Sequence, residues 1–133
     1  MTRTARCECG QLSITVPDTP RGVGVCHCFA CQRRTGSVFA ALAAFDPPWS
    51  VAGVATEYLR IGDREGTRIT FRFCPVCGTN LFHTEAENEG VSVAIGAFAD
   101  PAFAPPEVSV YDSRRHEWVR LPDGATRFET DPR

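Results

Sequence analysis

The chain has 133 residues, a formal net charge of -2, and 43% apolar and 23% charged side chains, the balance of one globular domain and not of a disordered or fibrous protein. The near-neutral charge supplies no electrostatic reason to expect nucleic acid or an anionic membrane as partner, and the longest apolar run, VFAALAAF at 38–45, falls well short of the roughly 20 residues of a spanning helix. All fourteen basic residues are arginine, which excludes Schiff-base and other lysine chemistry.

In chain order, MTRTARCECG lacks the apolar core of a secretory signal, so a cytosolic protein is expected. QLSITV (11–16) alternates Leu12, Ile14 and Val16 with Ser13 and Thr15 and stops at Pro17, the pattern of a half-buried strand. A turn or two of helix is expected after Cys28, through CQRR to Gly36. VFAALAAF is a strand or a short helix by composition; its length and the Pro47-Pro48 stop favour a strand. TEYLRI (56–61), the turn GDREGT and RITFRF (68–73), with Ile69, Phe71 and Phe73 on one face, predict a hairpin. TEAENEG (84–90) reads as a solvated loop, and VSVAI (91–95) and EVSVY (107–111) complete six or so short strands. The predicted class is a mainly β single domain over 1–133, its core spanning about 7–129.

The seven cysteines fall into C-x-C (Cys7, Cys9), C-x-C-x-x-C (Cys26, Cys28, Cys31) and C-x-x-C (Cys74, Cys77). In a reducing compartment, tight clusters of an odd number of cysteines read as metal ligands or catalytic thiols and not as disulfides. Proline and Gly78 in FCPVCGTN suit the tight turn of a zinc knuckle, and clustered thiolates favour zinc, with iron as the main competitor. Seven divides into a closed four-cysteine site and an open three-cysteine site, two zinc ions per chain. Spacing leaves two pairings open: Cys28 and Cys31 with Cys74 and Cys77, or Cys7 and Cys9 with Cys74 and Cys77.

Around these clusters, His27 sits between two ligands and is expected to point away from their metal, in a supporting or surface role. His83 and His116 are expected to be hydrogen-bonded structural histidines. Arg33 and Arg34 directly follow the triplet, where they could draw in an anionic substrate. Trp118 and Phe82 read as core.

The order CECG, CHCFACQRRTGS, FCPVCGTNLF, GAFADP and HEWVRLPDGATRFE resembles the glutathione-dependent formaldehyde-activating family, also described as the centromere-protein-V/GFA domain, from about Cys7 to Glu129. The resemblance implies a coiled, mainly β fold shared with methionine sulfoxide reductase B-type domains. It also implies a structural zinc on Cys7, Cys9, Cys74 and Cys77 and a catalytic zinc on Cys26, Cys28 and Cys31. The implied activity is that of a carbon-sulfur lyase, the reversible addition of glutathione to formaldehyde to give S-hydroxymethylglutathione. Glutathione is then the co-substrate, a small thiol and an aldehyde are the partners, and Arg33 and Arg34 are candidate glutathione contacts. Two rivals remain on the same residues: another thiol-adduct enzyme, or a non-catalytic binding module stabilised by zinc.

Overall fold

The computed structural model describes residues 1–62 and 66–132. The chain runs β1 (Thr2–Arg6), β2 (Ser13–Pro17), β3 (Gly22–Cys26), helix α1 (Phe29–Thr35), β4 (Ala40–Phe45), β5 (Ser50–Ala52), β6 (Thr56–Ile61) and β7 (Arg68–Phe73). It continues through β8 (Asn80–Glu85), β9 (Val91–Ala94), β10 (Val108–Val110) and β11 (Thr126–Arg127), with 3-10 turns at Ile95–Phe98 and Asp112–Arg114. Among the described residues these strands form two sheets, β1-β2-β5 and β11-β10-β3-β4-β9-β8-β7-β6. Pairing is antiparallel except where β10 runs parallel to β3 and to β11. The class is the mainly β single domain expected, and no helix among the described residues is long and apolar enough to cross a membrane.

Side-chain alternation explains how the sheets stack. Leu12, Ile14 and Val16 are fully buried, while Thr15 on the opposite face of β2 meets Thr4 of β1 through a 3.1 Å hydroxyl pair. The buried face of this small sheet packs with Phe45, Leu81, Phe82, Val91 and Val93 of the large one in a single core cluster. Each large apolar side chain enclosed there contributes about 1.5–3 kcal/mol. Of VFAALAAF, Ala40–Phe45 form β4 in the middle of the large sheet, burying Ala40, Ala43 and Phe45, while Val38 and Phe39 lie in the bend before it.

The β6–β7 hairpin is present in register from Thr56↔Phe73 to Ile61↔Arg68; the part of its expected turn at 63–65 lies outside the described residues. VSVAI ends as strand at Ala94, EVSVY is strand over Val108–Val110, and Thr84 and Glu85, expected in a loop, still belong to β8. Trp118, expected in the core, is 69% exposed: it lies in an irregular segment after the second 3-10 turn, its ring edge-on to His116 at 6.4 Å. Phe82 is buried as expected, its ring 6.2 Å from Trp49.

Two local devices shape the turn that carries Cys74. The β7–β8 register shifts between Arg72 and Phe73, and such an irregularity re-aims the chain just before the turn. Next to β5, Gly53 has φ +93° and a Cβ there would overlap the Gln11 carbonyl oxygen, so only glycine lets the two backbones approach. The Gln11 side chain brackets Val54 by donating to its carbonyl at 2.7 Å and accepting from its N–H at 2.9 Å. Its Nε2 also lies 3.0 Å from Cys74 Sγ.

Candidate functional site

The fold gathers the seven sulfurs into two groups, Cys7 with Cys9, Cys74 and Cys77, and Cys26 with Cys28 and Cys31, each with its ligand atoms within 4.8 Å of one another. Of the two pairings that spacing left open, the structure adopts the one that joins the first and last clusters. The reason lies in the topology: Cys7 and Cys9 follow β1, Cys74 and Cys77 precede β8, and the packing of the small sheet on the large one brings those two turns together.

Both groups suit a tetrahedral ion. Sulfurs bound to one zinc at about 2.3 Å stand roughly 3.8 Å apart; here Cys7 and Cys9 are 3.6 Å apart and Cys9 and Cys74 3.7 Å. Backbone donors surround the same sulfurs, with Leu12 N–H 3.3 Å from Cys7 Sγ and the Val76 and Cys77 N–H groups 3.4 Å from Cys74 Sγ. Although burial works to raise it, the Cys74 thiol is held low by Gln11 and by those two N–H groups, and the Thr79 hydroxyl, with nearby backbone donors, brings Cys77 down to about 5. Such outer donors fix and charge-stabilise thiolate ligands. Gln11 and Thr79 were missed in the sequence, where an isolated polar residue before a strand or after a knuckle carries no signal.

The second group is built on a strand-to-helix junction. Cys26 ends β3, Cys28 caps α1 by accepting from the Cys31 N–H at 3.3 Å, and Cys31 lies inside the first turn. Among the described residues no histidine or carboxylate joins the three sulfurs in a ligand group. Hydrogen bonds from Cys26 and Cys28, helped by Arg34, pull Cys31 down to about 2, while donation to Cys28 and Cys31, together with burial, pushes Cys26 far up. A dication bound here would hold all three as thiolates at once.

The arginines after the triplet part company. Arg33 is exposed, whereas Arg34 turns inward, its Nη2 3.8 Å from Cys31 Sγ and its guanidinium 4.3 Å from the centre of the Phe71 ring. Arg60 lies over the same ring at 5.0 Å. His27 is fully buried and not at the surface: its ring stands edge-on to Phe39, and neither ring nitrogen has a hydrogen-bond partner among the described residues. His116 donates from Nε2 to Gln32 Oε1 at 2.9 Å, an orientation settled by the Gln32 amide, which itself donates to the His27 and Arg114 carbonyls.

His83 lies 5.0 Å from Phe71, ring to ring, and burial, then Arg34 and Arg60, push its pKa down to about 3. Its folded pKa is thus below its unfolded value, so its contribution to stability is complete above pH 6.5 and declines as pH falls from there toward 3. Between pH 7 and pH 5.5 the wild type is expected to lose about 1 kcal/mol more than His83→Gln, because the variant lacks the group that must stay neutral. Urea midpoints of both proteins at the two pH values measure this difference, and equal losses would contradict it.

The triplet opens on a cleft of about 150 Å³ that Cys28 lines together with Arg60, Tyr111, Arg114, Glu85 and Asp131. On its other side, Cys26 borders an apolar groove formed with Val23, Val25, Leu42 and Val108. An ion at this centre would therefore be reachable from a polar recess, whereas the four-cysteine group ties two turns together.

Comparisons with known proteins give the family and the fold. Residues 2–114 match the family described as glutathione-dependent formaldehyde-activating enzyme. A Rhodobacter sphaeroides protein of known crystal structure shares the fold, with a TM-score of 0.54 and 23% identity over 94% of this chain and 98% of that one. No curated protein matches the sequence. The family match takes in both cysteine groups and the cleft as far as Arg114, and the chain belongs to the glutathione-dependent formaldehyde-activating family.

Proposed function

We propose that the protein is a zinc-dependent carbon-sulfur lyase that reversibly adds glutathione to formaldehyde, giving S-hydroxymethylglutathione, in the reducing cytoplasm. The observation that carries this reading is the three-sulfur centre, whose ligand group has no fourth protein member among the described residues and which faces an open cleft. Three protein ligands with one open position are the mark of a catalytic zinc, four of a structural one. Cys26, Cys28 and Cys31 are accordingly assigned to the catalytic ion, and Cys7, Cys9, Cys74 and Cys77 to the structural ion.

A zinc ion in the open site supplies a Lewis acid that lets a thiol ionise well below its free pKa of about 8.5. In the addition, the thiol sulfur forms a bond to the aldehyde carbon, the carbonyl π electrons move to oxygen, and the proton given up by the thiol ends on that oxygen. The chain's own groups place these partners. Cys28 opens to the cleft, and Arg34, beside Cys31, adds positive charge where anionic sulfur gathers. Burial, then Arg34 and Arg60, keep His83 a neutral imidazole against Phe71, so it offers no acidic imidazolium proton at neutral pH. Water from the cleft is assigned the proton transfer.

The test is exchange spectroscopy by NMR on a mixture of glutathione and formaldehyde with the zinc-loaded protein. Exchange faster than the spontaneous reaction is expected, and no acceleration would overturn the reading.

A further inference from the structure

We infer that Arg60 and Arg114 are the residues that select the thiol, by binding its carboxylates. This inference rests on the thiol-addition reading above. Both arginines line the cleft that Cys28 opens into. They come from distant parts of the chain, Arg60 from the outer strand β6 and Arg114 from the 3-10 turn before the C-terminal segment.

Their surroundings are unusual for surface arginines. Among the described residues neither guanidinium has a carboxylate partner; the ion pairs formed there belong to Arg3, Arg21, Arg72 and Arg115. Aromatic faces hold them instead, with Arg60 5.0 Å from the Phe71 ring centre and Arg114 4.9 Å from Phe29 and 5.2 Å from Tyr111. A ring face attracts the cation but takes none of its in-plane N–H donors, so these remain for a planar carboxylate, the partner their fork geometry fits best. Phe29 follows Cys28 directly and starts α1, so the helix that presents the sulfur also seats Arg114 beside it.

Glu85 stands in the same lining. Its negative charge disfavours a polyanion such as a phosphate-bearing thiol and suits a ligand that carries an ammonium as well as carboxylates. Glutathione, with two carboxylates and one ammonium, has that pattern; 2-mercaptoethanol has none of it.

The experiment separates recognition from catalysis by using S-methylglutathione, which keeps both carboxylates and the ammonium but has no thiol to react. Its binding to the zinc-loaded full-length protein is followed by calorimetry beside that of its diethyl ester. We expect the ester to bind at least about tenfold more weakly than the acid, as loss of charge-assisted hydrogen bonds requires. Arg60→Gln and Arg114→Gln, checked for circular dichroism and zinc content, should each weaken the acid by a similar factor, and the preference for glutathione over 2-mercaptoethanol in kcat/KM should fall accordingly. Equal binding of acid and ester by the wild type, or undiminished acid binding by both variants, would overturn the inference. Tight, arginine-dependent binding without faster exchange in the NMR experiment would uphold it while removing the lyase reading.

Discussion

Cys74→Ser is expected to unfold the domain. Cys74 is fully buried, its sulfur gathers donors from Gln11, Val76 and Cys77, and it shares its ligand group with Cys7 and Cys9, the latter 65 positions away along the chain. A structural zinc contributes on the order of 10 kcal/mol or more of apparent binding energy to folding, whereas a whole domain is stable by only about 5–15 kcal/mol. Removing one of four thiolates, and leaving a hydroxyl among donors placed for a sulfur anion, therefore takes away an amount comparable with the entire stability. The small sheet β1-β2-β5 would lose its tie to the turn between β7 and β8. Native mass spectrometry should show the structural ion gone, and far-UV circular dichroism the loss of strand signal at 25 °C. A folded Cys74→Ser protein that still carried two zinc ions would contradict the assignment.

Cys28→Ser should behave in the opposite way: folded, but inactive. Cys28 caps α1 through a side chain that accepts from the Cys31 N–H, and serine is among the best residues for that task. The local helix start is thus preserved, and stability should change by no more than about 1 kcal/mol. The three-sulfur centre, however, drops to two thiolates. Loss of an outer partner of a metal ligand already costs about 10–100-fold, so loss of the ligand itself is expected to lower kcat/KM by more than about 100-fold, with zinc content falling from two ions to one. Thermal unfolding, metal content and the exchange rate, measured on one preparation, decide the matter. If Cys28→Ser unfolds like Cys74→Ser, the second ion is structural and the chain reads as a zinc-stabilised binding module.

The strands that could be foreseen are those with a clean period of two. β2 and β7 alternate branched or aromatic residues with polar ones; in β2 the alternation is mirrored in burial, and in β7 Phe71 is the buried member of its face. The missed strands lack that signal for separate reasons. TRTAR of β1 is almost wholly polar and holds its place through pairing with β2. GVGVC of β3 carries two glycines, which weaken a strand pattern, yet it is held between β4 and β10. In β8 the neighbours Leu81 and Phe82 are both buried because both faces of that strand are covered, which erases alternation. Trp118 erred the other way, since aromatic character predicts burial only where a second layer exists to provide it.

By itself the sequence determined the mainly β class, the grouping of cysteines into clusters, and an odd ligand count that divides into four and three, because ligand spacing within a turn and alternation along a strand are local properties. Which clusters share an ion was decided only when the small sheet packed on the large one and brought the turns after β1 and β7 together. The same holds for the cleft: Arg34, facing inward at Cys31, differs from Arg33 only by its position on the helix. Arg60 and Arg114 became neighbours of Cys28 through the sheet order and the last 3-10 turn. Neither their approach nor the aromatic faces that hold them leaves any trace in spacing along the chain, since both depend on contacts between elements that folding alone brings within reach.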